Sequence, residues 1–302
     1  MTRIHDGESM TEQRYHLRDG LADLAENYDA YICDLWGVLH DGVTAFPEAV
    51  AALAQLRRAG KKIFILSNAP RRAAEVEARM NEMGISPQLY DRVLSSGEQA
   101  WHCLKSRPDD WYRTLGNRCL HLGPARDNGM RDGLDLQVVT EVAQADFLLN
   151  TGARGPADLA CNYDPILIPA QARGLKMVCA NPDLEVIRGG QREICAGALA
   201  RRYEALGGQV RYHGKPHPEI YQACRDYLQD IPARRIAMIG DSLRTDIAGA
   251  RSVGIGAILV IGGIHAESLG VAEGALPSRP KLDALCAAEG VWPDWVLPTL
   301  RW

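Results

Sequence analysis

The chain has 302 residues, 46% of them apolar and 24% charged, with a net charge of −4. That length allows two domains with separate cores, and the slight acidity argues against a broad nucleic-acid surface. No run is apolar for long enough to span a bilayer, since Ala257 to Ile264 reaches only strand length. Arg3, Asp6 and Glu8 interrupt the first residues, so no secretory signal is expected there. The eight cysteines are scattered without a Cys-x-x-Cys pair. Cys33, Cys119, Cys179 and Cys195 stand in apolar surroundings, which reads as buried free thiols in a reducing cytoplasm.

In chain order, residues 1–14 read as a frayed leader and 17–27 as a short helix with Leu17, Leu21 and Leu24 on one face. A strand covers 30–34. Pro47 opens a helix that runs to Arg58 and stops before Gly60. Lys61 to Leu66 is a buried strand ending at Ser67-Asn68, followed by a charged helix over 71–83 closed by Gly84. A strand at 92–95 leads through Ser96-Gly97 into another helix. The polar segment 107–118 reads as a junction. Beyond it the pattern predicts strand 118–122, a helix near 127–132, strands 136–138 and 146–150, helix 165–172, strand 175–179 and helix 192–205. Residues 206–214 read as a turn-rich return, and 235–240, 245–253 and 256–261 as strand, helix and strand. Alternating strands and helices specify a parallel sheet. The simplest architecture is one α/β domain built from both ends of the chain, 15–98 and 209–302, with a second α/β domain, 99–208, inserted between them.

Four segments place polar residues where strands end or helices begin. Asp34 follows Tyr31-Ile32-Cys33, and Gly37 then turns the chain. A carboxylate there lies at the carboxyl edge of the sheet, where open α/β sheets bind ligands, so Asp34 is placed to be a nucleophile or a metal ligand. The others are Ser67-Asn68, Lys215 in His213-Gly214-Lys215-Pro216, and Gly240-Asp241-Ser242-Leu243-Arg244-Thr245-Asp246. A carboxylate nucleophile, a hydroxyl and a lysine for phosphate oxygens, and two more carboxylates suit metal-assisted phosphoryl transfer through an aspartyl phosphate. Mg²⁺ takes hard oxygen ligands and offsets the repulsion between Asp34 and a phosphate.

These segments, in this order, resemble the four motifs of the haloacid dehalogenase (HAD) superfamily, with the insertion between the second and third. Ala180-Asn181-Pro182-Asp183, the following Gly189-Gly190 and the Gly214-Lys215-Pro216 step are similar to class IIA members: p-nitrophenyl phosphatase-like, UMP phosphatase-like and pyridoxal phosphatase-like enzymes. The similarity covers most of residues 30–265. It implies a Rossmann-like parallel-sheet core with an inserted α/β cap of the C2 type, and a cap-mediated homodimer. It implies Asp34 as nucleophile, Ser67 as phosphate ligand and Lys215 as both phosphate ligand and orienter of Asp34. It further implies Asp241 as metal ligand, Asp246 in support, and a metal contact from the backbone carbonyl of Trp36. Asn68, Asn181 and Asp183 are expected at the substrate. Arg71 and Arg72 read as a solvated helix start, and His213, His217 and His265 as structural or rim residues.

One residue departs from the pattern. HAD phosphatases carry an aspartate two residues after the nucleophile, as general acid and base worth on the order of 10²–10⁴ in rate. This chain has Trp36 there, whose indole N–H is not acidic enough. His40 and Asp41 are candidate substitutes by proximity in sequence alone. The reading is therefore a cytoplasmic, Mg²⁺-dependent hydrolase of a small phosphorylated metabolite. Its rivals are a weak or inactive HAD-fold protein that binds such a metabolite, and a dehalogenase-like hydrolase. Neither the substrate nor the oligomeric state is written in the sequence.

Overall fold

A computed structural model describes residues 14–188, 190–272 and 274–302. The expected leader falls outside them, apart from Arg14. The chain lays down β1 (His16–Leu17), β2 (Ala30–Cys33), β3 (Lys62–Ser67) and β4 (Arg92–Ser95), then β5 (Arg118–Leu122), β6 (Gln137–Val139), β7 (Phe147–Asn150) and β8 (Lys176–Cys179). A hairpin of β9 (Glu185–Arg188) and β10 (Gln191–Ile194) follows, then β11 (Gln209–Tyr212), β12 (Ile236–Gly240), β13 (Gly256–Val260) and β14 (Trp295–Leu297). Apart from the antiparallel hairpin, every pairing is parallel.

The first sheet has the order β1-β14-β13-β12-β2-β3-β4. From β2 the chain steps one way to β3 and β4; from β12 it steps the other way to β13 and β14. The order therefore reverses between β2 and β12, and an open sheet makes a crevice at such a point. Asp34 and Asp241 follow these two strands directly. The central strands are buried on both faces, which is why Ile63-Phe64-Ile65-Leu66 and Ile236-Ala237-Met238-Ile239 are continuously apolar rather than alternating. Helix Pro47–Arg58 begins on its proline and buries Ala49, Ala52, Leu53 and Leu56 against one face. Full burial of a leucine contributes roughly 1.5–3 kcal/mol, so Leu53 and Leu56 hold this helix to the sheet.

The second sheet has the order β11-β8-β7-β5-β6. Two apolar clusters flank it, one around Leu120, Leu148, Met177 and Tyr203, the other around Phe147, Leu149 and Val178. Helix Ser96–Ser106, capped by the Ser95 hydroxyl on the Glu98 N–H, buries Ala100 and Leu104 in the second cluster. The element that leaves the first sheet thus already packs on the second. Residues 209–212, read from sequence with the first domain, are β11, the edge strand of the second sheet; Val210 and Tyr212 pack on its core. A cut at residue 99 would fall inside a helix.

Three local expectations are corrected. Residues 17–27 hold β1 and a 3₁₀ turn, Ala22–Leu24, rather than a helix. Residues 127–132 lie in a 3₁₀ segment, Ala125–Arg131. Helix 192–205 begins only at Ala196, because residues 191–194 pair antiparallel with 185–188. Strand β14 and helix Arg279–Glu289 had no counterpart in the sequence reading. All eight cysteines are free, six of them buried, as their apolar surroundings suggested. No helix among the described residues is long and apolar enough to cross a membrane.

Candidate active site

A cavity of about 990 Å³ opens between the two sheets at the carboxyl ends of β2 and β12. Asp34, Lys215, Asp241 and Asp246 meet at this edge, all buried. Lys215 Nζ lies 2.6 Å from Asp34 Oδ1 and 2.8 Å from Asp246 Oδ1. Asp246 Oδ2 accepts from the Ser242 N–H at 3.1 Å, so both of its oxygens are engaged within the protein. Asp241 Oδ2 accepts from the Ile264 N–H at 2.7 Å. Gly37, with φ +70°, presses against Asp241, and a Cβ there would collide with that carboxylate.

One oxygen from each of Asp34, Asp241 and Asp246 lies within 4.8 Å of the others. Burial raises the Asp34 carboxyl above its ordinary range against the pull of Lys215, and Asp246 adds to the rise. Asp241 is raised further, by burial and then by Asp34 and Asp246. Burial alone would lower Lys215, but Asp246, Asp34 and Asp183 more than offset it, so the ammonium keeps its proton. Three carboxylates thus crowd around one buried ammonium. An all-oxygen donor set with excess negative charge fits a hard divalent cation.

Ser67 is fully buried at the end of β3, and its hydroxyl accepts from the Ala69 N–H at 3.1 Å. It lies beneath the cavity floor, while Asn68 and Ala69 form the wall. Asn68 is tied to the protein through both ends of its amide. Its Nδ2 donates to Asp183 Oδ1 at 2.8 Å and to the Lys215 carbonyl at 3.1 Å, while Oδ1 accepts from the Lys215 N–H at 2.8 Å. Asn181 Oδ1 accepts from the Asp183 N–H at 2.8 Å. Both Asn181 and Asp183 reach the cavity wall, and burial raises the Asp183 carboxyl. Asn68 therefore joins the β3 edge, the lysine loop and the second sheet's loop. Asn68→Ala should cost about 1–3 kcal/mol of stability by orphaning buried partners and lower kcat more than it raises KM. An unchanged melting temperature and rate would show that these bonds position nothing.

Trp36 stands at the cavity wall. Its ring meets His40 edge-on at 5.2 Å and covers Gly42, where any Cβ would strike the indole. The Arg188 guanidinium of β9 lies 4.9 Å from the indole centroid, a cation–π contact between the hairpin and the first sheet. Neither proposed substitute is built as an acid. His40 is buried, its Nδ1 accepts from the Gly42 N–H at 3.0 Å, and burial lowers it to about 4. Asp41 Oδ1 accepts from the Val43 and Thr44 N–H groups at 2.8 and 2.7 Å; these bonds hold its carboxyl below the ordinary range. At neutral pH one is an uncharged imidazole and the other a carboxylate.

Other groups at the cavity escaped the sequence reading. Arg71, at the wall, pairs with Asp127 at 2.9 Å, and Arg72, outside it, pairs with Glu98 at 2.8 Å; both arginines stay partly exposed. Hairpin residues Glu185–Arg188 and Arg192–Ile194 form one wall, and the Gly262-Gly263-Ile264-His265 loop after β13 forms another. His265 Nε2 accepts from the Leu243 N–H at 3.1 Å, and His213 bonds the Tyr112 hydroxyl, so both are structural as expected. The Gly262-Gly263 pair after an apolar strand was a legible signal for a site loop; the hairpin arginines carried none.

Known proteins resemble this chain along most of its length. Haloacid dehalogenase-like hydrolase family models match residues 31–137 and 167–254, and a further HAD-hydrolase-like model matches 212–301. A hydrolase of the haloacid dehalogenase-like family from Brucella suis 1330 is 34% identical, with a TM-score of 0.80 over 94% of this chain and 99% of that one. A p-nitrophenyl phosphatase from Archaeoglobus fulgidus shares the fold at 22% identity, with a TM-score of 0.65 over 90% of this chain and 97% of that one. A D-glycerol 3-phosphate phosphatase from Mycobacterium tuberculosis is 27% identical over 81% of this chain, a match that spans 66% of that enzyme.

Proposed function

The chain belongs to the haloacid dehalogenase-like hydrolases, and from that premise we propose that it is a class IIA phosphatase of a small phosphorylated metabolite, with Asp34 as nucleophile and Mg²⁺ as cofactor. The observation that carries the reading is the buried Asp34–Lys215–Asp246 ion-pair chain with Asp241 beside it. Named phosphatases among its relatives, including the one acting on glycerol phosphate, support a substrate of that size. A cytoplasmic setting and a homodimer through the inserted domain belong to the same proposal.

Lys215 fixes one oxygen of Asp34 and leaves the other to attack phosphorus in line with the departing ester oxygen. An aspartyl phosphate forms as the ester P–O bond breaks, and the alkoxide or phenoxide leaves and takes a proton from solvent. Water then attacks the phosphorus, regenerating the carboxylate and releasing phosphate. Asp34, Asp241 and the Trp36 carbonyl are the groups that would hold Mg²⁺, with Asp246 supporting them. When bound, that ion neutralises the charge that keeps a phosphate dianion away from three carboxylates. Lys215 donates to the transferring oxygens, and the walls built from the hairpin and the Asn181–Asp183 loop exclude water and read the leaving group. Ser67, beneath the floor, acts through the Ala69 backbone it caps.

Phosphate release from p-nitrophenyl phosphate and a panel of phosphorylated metabolites tests the reading. Activity should require a divalent ion, and Asp241→Ala should raise the Mg²⁺ concentration for half-activation at least about tenfold, since one charged oxygen ligand is lost. Full phosphate release in excess chelator would overturn the metal assignment, whereas chelator-insensitive halide release from a haloacid with no phosphate release would favour cleavage of a carbon–halogen bond through Asp34. Trp36 favours one second reading, a protein that binds the phosphometabolite and turns it over slowly. An aspartyl phosphate that accumulates and decays over minutes would establish it.

A further inference from the structure

Arg201, on helix Ala196–Ala205, and Arg244, in the π-helical turn Leu243–Ile247, both line the cavity from opposite sides of the junction between the two sheets. Neither has a carboxylate within ion-pair distance among the described residues, a state that Arg126 and Arg154 share on these walls, whereas Arg71, Arg188, Arg192 and Lys215 are paired. The only hydrogen bond made by the Arg244 guanidinium among those residues is a long one, 3.4 Å, to the Pro182 carbonyl. It is half-buried, and the charged groups about it are Asp183, Arg201, Glu289 and Glu185. Asp183 is bonded to Asn68, and Glu185 pairs with Arg192. Glu289 remains as a carboxylate at the rim.

Two like charges facing one cleft, Arg244 half-buried and Arg201 exposed, repel, and an anion between them relieves that repulsion. A guanidinium also offers a rigid fork that matches carboxylate and phosphate oxygens. We propose that Arg201 and Arg244 clasp a second anionic group of the substrate, so that the substrate is a phosphomonoester also carrying a carboxylate or a second phosphate; this rests on the phosphatase reading of the Asp34 site. Because one arginine comes from each side of the cleft, such a substrate also draws the inserted domain onto the core.

The test uses two matched pairs: glycerol 3-phosphate against 3-phosphoglycerate for a carboxylate, and fructose 6-phosphate against fructose 1,6-bisphosphate for a phosphate. Binding is measured by calorimetry on the Asp34→Asn protein with Mg²⁺, and kcat/KM on wild type, with p-nitrophenyl phosphate as common reference. The doubly anionic member of at least one pair should be preferred by about tenfold to a hundredfold, the range of one charge-assisted contact. The pair that shows it identifies the source of the second anion. Arg244→Gln and Arg201→Gln should each cut that preference about tenfold, and Arg244→Lys should keep part of it. Equal affinities within both pairs, or a preference that survives both glutamine variants, would overturn the proposal. If the calorimetric preference holds but wild type releases phosphate from none of the five compounds, the hydrolase reading fails and the anion site stands. If p-nitrophenyl phosphate is hydrolysed and neither pair is discriminated, the anion site fails and the hydrolase reading stands.

Discussion

Asp34→Asn should lower phosphate release from p-nitrophenyl phosphate by on the order of 10⁴-fold or more, the scale on which loss of a nucleophile acts. The amide keeps the shape of the carboxylate but cannot attack phosphorus. The fold should survive, because Lys215 retains Asp246 as a partner at 2.8 Å and one of three crowded carboxylates has been neutralised. Circular dichroism and a melting curve separate that outcome from unfolding. A folded Asp34→Asn protein with near-wild-type rates would exclude Asp34 as nucleophile. Lys215→Met makes a contrast: it strands Asp34 and Asp246 in a buried site and should cost about 3–5 kcal/mol of stability as well as activity.

The second large effect is at Trp36. Without an acid there, wild type should favour esters whose leaving group departs unaided, so p-nitrophenyl phosphate should exceed an alkyl phosphate disproportionately. Trp36→Asp should raise the alkyl-to-aryl ratio of kcat by roughly 10²-fold and speed decay of the aspartyl phosphate. Two features of the structure work against the absolute rates. The indole fills the space over Gly42 and carries the Arg188 guanidinium, so its loss loosens the contact between hairpin and core. A fourth carboxylate also joins an acidic site, although Arg188 stands near enough to pair with it. The ratio is therefore the measurement to make. Rapid wild-type turnover of an alkyl phosphate, with no gain in the variant, would mean that another group supplies the proton. Asp183→Asn would then come before His40→Ala or Asp41→Asn, since burial keeps Asp183 protonated more readily than an ordinary aspartate.

Short-range order was legible in the sequence because it is set by short-range physics. Pro47 and Gly60 bracket a helix whose apolar spacing dictates its buried face, and the structure has that helix at Pro47–Arg58. Apolar runs such as Ile63 to Leu66 must be central strands, and a carboxylate following one must stand at the sheet edge. That logic, with motif order, brought Asp34, Lys215, Asp241 and Asp246 together from positions as far as 212 residues apart. The hairpin strands Glu185–Arg188 and Gln191–Ile194 were missed because charged and apolar residues mix along them at partial exposure; only pairing with each other makes them strands. Strand β11 was missed for a related reason, since Gln209 to Tyr212 becomes a strand by adding to the edge of a sheet formed elsewhere. What side chains do after they meet belonged wholly to the tertiary structure. Asn68 could have faced substrate, but partners 115 and 147 residues away consume its amide. His40 could have been an acid, but burial and the Gly42 N–H keep it neutral. The sequence by itself determined which groups reach the cleft, because strand ends and turns are local. Only the tertiary structure decided which of them are already bonded to protein and which, like Arg201 and Arg244, are left facing the cavity, because hydrogen bonds and desolvation depend on neighbours that are distant in the chain.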